Sequence, residues 1–211
     1  MSATSDPSRG PAPDAVRAAH HQIGNSLQSI VSLLTLESRS APPEAATVLC
    51  EAGRRVRIIM RLHQRLQESG ADRVRLDDLL SDVVRDVAAL DAGHRKVDLR
   101  IDLKPVCAHS RTASAIAMIT AEWVGNALEH GLADRDGAVV VTLEPFADGA
   151  RLVVSDNGVG DTCGEWSPGF GLTLITRLIR QINGQLTQTV NSDGTRLELA
   201  CPGLESGPDC Q

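Results

Sequence analysis

Val153-Val154-Ser155-Asp156-Asn157-Gly158-Val159-Gly160 is the stretch on which the reading of this chain turns. Leu152 to Ser155 read as a buried strand that runs into one acidic side chain and then two glycines. A carboxylate at the mouth of a strand can accept a hydrogen bond from an amino group on a ligand. Gly158 and Gly160 let backbone pass where a Cβ would clash, and they tolerate positive φ. Asp-Asn-Gly is also ordinary turn chemistry, so its meaning depends on its neighbours.

On the C-terminal side, Ser167-Pro168-Gly169-Phe170-Gly171-Leu172 leads into a helix expected from about Leu172 to Ile182, capped by Asn183-Gly184. Glycines at a helix start turn free N–H groups and the positive dipole end toward an anion. On the N-terminal side, a helix is expected from about Arg111 to His130, stopped by Gly131. Glu122, Asn126 and His130 fall at i, i+4 and i+8 and would share one polar stripe. Ile116, Ile119, Trp123 and Ala127 form the adjoining apolar stripe. The Asn126 side chain offers a neutral carbonyl oxygen of the kind Mg²⁺ accepts. Polar helix, strand-Asp-Gly and glycine loop-helix, in that order, specify an amino-group acceptor, a metal ligand and a phosphate cradle.

The surrounding pattern is mixed. A helix over Leu76 to Leu90 and an alternating strand, Val97 to Leu103, precede the polar helix. Strands Ala138 to Glu144 and Ala150 to Asp156 turn at Ala147-Asp148-Gly149. Gln185 to Val190 and Thr195 to Ala200 close a hairpin over Asn191-Ser192-Asp193-Gly194. Helices mixed with hairpins indicate an α+β two-layer sandwich over residues 74–201 and not a doubly wound parallel sheet.

Residues 14–70 read differently. One amphipathic helix is expected from Asp14 to about Arg39, with Val16, Ile23, Leu27, Ile30 and Leu34 on its seam. After the break at Ala41-Pro42-Pro43, a second should run from about Glu44 to Glu68, with Ala45, Leu49, Ala52, Val56, Ile59, Leu62 and Leu66 inward. Such a hairpin cannot cover both its stripes, so pairing into a dimeric four-helix bundle is expected, the alternative being a monomer whose hairpin packs on its own C-terminal domain. Residues 1–13 and 202–211 read as tails.

The 211 residues carry a net charge of −6, which argues against nucleic acid as a main partner. No apolar run approaches the roughly 20 residues of a membrane span. Five scattered cysteines suggest reduced thiols and a cytoplasmic setting.

The three site segments together resemble the ATP-binding domain of sensor histidine kinases and related GHKL ATPases. Glu122-Trp123-Val124-Gly125-Asn126-Ala127 is similar to the N box, Asp156 to Gly160 to the G1 box, and Gly169-Phe170-Gly171-Leu172 to the G2 box. Gly194-Thr195 fits the closing Gly-Thr element. The resemblance implies ATP and Mg²⁺ as cofactors, with Asp156 on the adenine amino group, Asn126 on Mg²⁺, and Gly169 and Gly171 about the phosphates. It also enrols Gly158, Gly160, His130, Leu172 and Thr195 in nucleotide binding.

His20-His21-Gln22-Ile23-Gly24-Asn25-Ser26-Leu27-Gln28 is similar to a kinase subgroup whose box reads His-Arg-x-Lys-Asn-x-Leu-Gln. That match puts the phosphoacceptor at His21. Helical geometry agrees, since His21 falls on a polar line with Asn25, Gln28 and Ser32 while His20 flanks the seam. Gln22 and Gly24 replace two basic residues of the subgroup, and Glu129 stands where relatives often carry Lys. Glu122 is then expected to orient the imidazole or take its proton, because Gln22 cannot act as a base.

The resemblance implies a histidine kinase that passes its phosphoryl group to a response-regulator receiver domain. Residues 1–13 hold no sensor domain, so a separate sensor protein is expected to deliver the signal. A histidine phosphotransferase or response-regulator phosphatase on the same frame is the alternative that Gln22, Gly24 and Glu129 favour. A serine kinase or anti-sigma module of GHKL type ranks last, since it gives an outward histidine on a helical hairpin no use.

Overall fold

The computed structural model describes residues 13–69, 73–90, 96–133, 135–160 and 170–207, with side chains excepted at 13–21, 62, 63, 65–69, 90 and 170–172. The chain divides into two compact units, Met1–Gln67 and Glu68–Gln211.

The first unit holds α1 (Pro13–Ser40) and most of α2 (Pro43–Ser69). Pro43 sits at the first position of α2, where its missing N–H costs nothing. The two helices meet where Gly53 faces Leu34; a Cβ on Gly53 would stand 3.9 Å from that of Leu34. Burial differs from the expected seam. Val31 and Ile58 are buried, while Ile23, Ile30 and Ile59 are exposed together with Leu33, Leu36 and Val48. The apolar arc of α1 is wider than one neighbouring helix can cover. Leu27, Val31 and Leu34 are the less exposed line, with Leu34 facing Gly53 of α2, and Ile23, Ile30 and Leu33 form an open strip beside it.

The second unit is the expected α+β layer pair. Its five-stranded sheet runs β2 (Val97–Leu103), β4 (Gly137–Phe146), β5 (Gly149–Asp156), β7 (Gly194–Pro202), β6 (Gln185–Asn191). The β2–β4 pair is parallel and the other three pairings are antiparallel. Helices α3 (Leu76–Leu90), α4 (Ser110–Asn126) and α5 (Phe170–Gln181) form the second layer, with α4 packed against both others. The opposite sheet face is ionic: Lys104 pairs with Asp102 at 2.9 Å, and Arg151 with Glu198 at 2.9 Å.

The core is assembled in rungs across the central strands. Leu143, Leu152 and Leu199 share one register, and Val141, Val154 and Leu197 the next; all six are buried. At roughly 25 cal/mol per Å² of apolar surface, each fully buried Leu or Val supplies about 1.5–3 kcal/mol. The following rung is Val139, Asp156 and Thr195. A period of two along β5 therefore aims Asp156 into the same layer as Leu152 and Val154. The apolar ladder ends on a carboxylate.

A second small sheet went unread in the sequence. It joins β1 (Arg73–Arg75), β3 (Val106–His109) and β8 (Glu205–Ser206) in the order β1–β3–β8. Part of the stretch read as a C-terminal tail thus pairs with β3, and Leu204 beside it is buried. The expectation of reduced thiols is corrected at one position. Cys107 is disulfide-bonded, with a partner outside the described residues, while Cys50 and Cys201 are free. Residues 1–12, read as a disordered tail, also lie outside the described residues.

Candidate active site

Asp156 ends β5 on the core side of the sheet, half-buried. Its Oδ1 accepts the N–H of Gly158 at 2.9 Å. Burial raises the Asp156 carboxyl above the usual range, and the N–H groups of Gly158 and Thr195 pull back part of that rise. No ion pair joins Asp156 to a cation among the described residues. Its ionised form is held by backbone dipoles alone, which leaves acceptor capacity for a ligand amino group.

Backbone crowds Asp156 from three directions. A Cβ at Gly131 would stand 2.7 Å from Asp156 Oδ1, and one at Gly158 would stand 2.1 Å from the Gly131 carbonyl oxygen. Gly194, at φ +126°, brings its backbone against the Asp156 carbonyl, where a Cβ would come within 2.0 Å. Gly160, at φ +59°, passes equally close to the carbonyl of Asn191. The Val159 N–H donates to the Gly131 carbonyl at 3.0 Å, and Asn157 Oδ1 accepts the Ala138 N–H at 2.7 Å. Glycine is needed at these crossings because two backbones touch there.

The polar helix departs from its expected form. α4 stops at Asn126 and continues as a π-helical turn, Ala127–Gly131, in which the Leu132 N–H reaches back five residues to the Ala127 carbonyl at 2.9 Å. A π turn takes more residues per revolution, so the i, i+4, i+8 stripe does not survive past Asn126. Glu122 is buried at 4% exposure, Asn126 is half-buried, and His130 is exposed with Glu129. The apolar stripe holds as expected, with Ile116, Ile119, Trp123 and Ala127 all buried. The same turn delivers Gly131 to the Asp156 carboxylate, a contact between residues 25 apart that no short motif announces.

Thr195 is half-buried opposite Asp156 in the β5–β7 register. Gly171 and Leu172 lie in the first turn of α5, with the Leu172 side chain outside the described set, and Gly169 lies wholly outside the described residues. His21 lies in α1, its side chain likewise outside the described set. Next to it, Gln22 and Asn25 are exposed, and a Cβ on Gly24 would meet nothing within 4 Å.

Residues 19–90 match the family described as Histidine kinase. Sensor histidine kinase PdtaS of Mycobacterium tuberculosis is 31% identical over 198 residues, which cover 89% of this chain and 39% of that protein. The chain belongs to the histidine kinase family. Among such kinases, the blue-light-activated histidine kinase 2 of Erythrobacter litoralis is 24% identical over 193 residues, covering 86% of this chain and 55% of that one. The histidine kinase domain of the Erythrobacter litoralis EL346 blue-light activated histidine kinase superposes with a TM-score of 0.69, covering 88% of this chain and 94% of that domain. At 20% identity that likeness is one of fold, a pair of helices followed by a sheet-containing α/β domain. The chain spans about two fifths of the length of its mycobacterial relative. No helix among its described residues is long and apolar enough to cross a membrane.

Proposed function

We propose that this chain binds ATP in the pocket headed by Asp156, accepts its γ-phosphoryl group on His21, and passes that group to an aspartate of a response-regulator receiver domain. The observation that carries the reading is the half-buried Asp156 carboxylate, fenced by Gly131 and Gly158 and left without a cationic partner among the described residues. A carboxylate so held suits the exocyclic amino group of adenine. Asn126, half-buried at the last position of α4, presents the neutral oxygen that a largely hydrated Mg²⁺ accepts. Mg²⁺, when bound, supplies charge neutralisation to the phosphates. The free N–H groups at the start of α5, with Gly169, Gly171 and Leu172, would hold the phosphate chain. Thr195 supports the Asp156 carboxylate through its backbone N–H, and His130 lies at the exposed rim. Glu122 keeps the orienting role of the two expected for it, since its burial suits positioning through α4 better than proton transfer at a surface. Dimerisation through the α1–α2 hairpin and a cytoplasmic setting complete the proposal.

Incubation with γ-labelled ATP and Mg²⁺ tests it. Acid-labile label should appear on the wild type, vanish in His21→Ala, and fall together with nucleotide affinity in Asp156→Asn. Failure of the wild type to bind ADP or ATP at millimolar concentration would sink the reading.

Gln22, Gly24 and the exposed Glu129 support a second reading, a phosphotransferase or response-regulator phosphatase with weak autokinase activity. Transfer depends on charge stabilisation beside the acceptor, and these positions carry none of the positive charge the resemblance leads one to expect. Label reaching His21 only from a phosphorylated receiver domain would select it.

A further inference from the structure

Asn157 follows Asp156 and is exposed, yet its side chain is tied into the sheet. The β4–β5 register ends with Val139 opposite Asp156, so the next partners in line are Ala138 and Asn157. Opposed residues of a hydrogen-bonded antiparallel pair exchange two main-chain bonds. The first forms here, from the Asn157 N–H to the Ala138 carbonyl at 3.3 Å. The second is made by the side chain, where Asn157 Oδ1 accepts the Ala138 N–H at 2.7 Å. Room for that oxygen comes from Gly137, at which a Cβ would stand 2.6 Å from it.

On the reading that Asp156 accepts the adenine amino group, we propose that Asn157 is the residue that positions Asp156 for that ligand. Its side-chain carbonyl stands in for the main-chain carbonyl at the last step of the ladder. With that step completed by a side chain, the main chain is released to turn away from the strand. Gly158 comes next in the turn; it is buried, and its N–H donates to Asp156 Oδ1 at 2.9 Å. Two walls leave this turn no slack. A Cβ on Gly158 would stand 2.1 Å from the Gly131 carbonyl oxygen, and one on Gly194 would stand 2.9 Å from the Asn157 Cα. Asn157 thus pins the near end of a turn whose far end grips the carboxylate. Hydrogen bonds weaken steeply when bent, so a carboxylate that drifts with the turn meets an amino group less well. Because the partner at Ala138 is a main-chain donor, the position needs an acceptor. A carboxylate oxygen serves there and a methyl group does not.

The test measures ADP binding by calorimetry at high salt, and Gly158 amide exchange without nucleotide, in the full chain and in its Asn157→Ala and Asn157→Asp variants. In Asn157→Ala, ADP affinity should fall roughly 3- to 10-fold, and Gly158 exchange should quicken. Tm should drop by no more than about 4 °C, as befits one exposed hydrogen bond. Asn157→Asp keeps the acceptor, and salt screens its added charge. It should restore both affinity and exchange, which a role in packing alone would not predict. Wild-type affinity in Asn157→Ala, or an aspartate variant as impaired as the alanine one, would overturn the proposal. A wild type that binds no ADP overturns the adenine reading, whereas Gly158 exchange unmoved in Asn157→Ala overturns the part assigned to Asn157 alone.

Discussion

Asp156 sets binding against stability within one side chain. Its carboxyl is raised by burial, and an acid whose folded value exceeds its unfolded one favours the fold only where it is protonated. That contribution is complete below the unfolded value, about 3.9, and is lost as pH rises through the folded value. At neutral pH the ionised group works against folding. Asp156→Asn should therefore raise Tm at pH 7, with the gain over wild type shrinking toward pH 4 in a thermal melt series. The same substitution replaces an acceptor with a donor, so ADP affinity should fall roughly 10- to 100-fold by calorimetry. Gly131→Ala tests the fence from the other side. Its Cβ would meet Asp156 Oδ1 at 2.7 Å, and the shift needed should cost about 1–3 kcal/mol in urea unfolding and weaken ADP binding with it. Gly24→Ala has the opposite sign. With nothing within 4 Å of the new methyl, it should stabilise α1 by up to about 1 kcal/mol.

Among the elements, long periodic ones were legible and short ones were not. Asp14 to Arg39 and Glu44 to Glu68 were expected as helices, and α1 and α2 span Pro13–Ser40 and Pro43–Ser69. β1, β3 and β8 hold three, four and two residues, too few for a period, and they exist only because each finds another. The π turn was invisible for a different reason: Ala-Leu-Glu-His-Gly suits an α-helix equally well, and the wider turn depends on the carbonyl that the Leu132 N–H finds. On α1, the seam was read as one stripe, whereas Val31 turns inward and Ile30 and Leu33 remain 43% and 59% exposed. If that open strip is the dimer face, Ile30→Glu with Leu33→Glu should convert a dimer to a monomer in light scattering while the helical circular dichroism persists.

At the level of the whole chain, residues 68–211 carry their own buried rungs, helices and the candidate site around Asp156. A fragment of these residues should bind ADP with the affinity of the full chain, measured by calorimetry, and should transfer no phosphate to itself. The order of the three boxes was readable because each sits at the end of an element whose pattern is plain. The bracing of Asp156 by Gly131 and Gly194 was not, since it takes the π turn on one side and the β5–β7 register on the other to bring such distant backbone together.

The parallel β2–β4 pair carries a consequence for how the molecule is built. Val97 lies opposite Gly137, and Leu103 opposite Leu143, so 40 residues separate each pair of partners. Everything between Leu103 and Gly137, including α4 with Asn126, is the bridge that this pairing demands. Adding one residue to that bridge would swing Asn126 by about 100° or pull two strands out of step. The helix that carries Asn126 is thus a spacer of fixed length, and a refolding chain sets its place only once β2 and β4 have found each other.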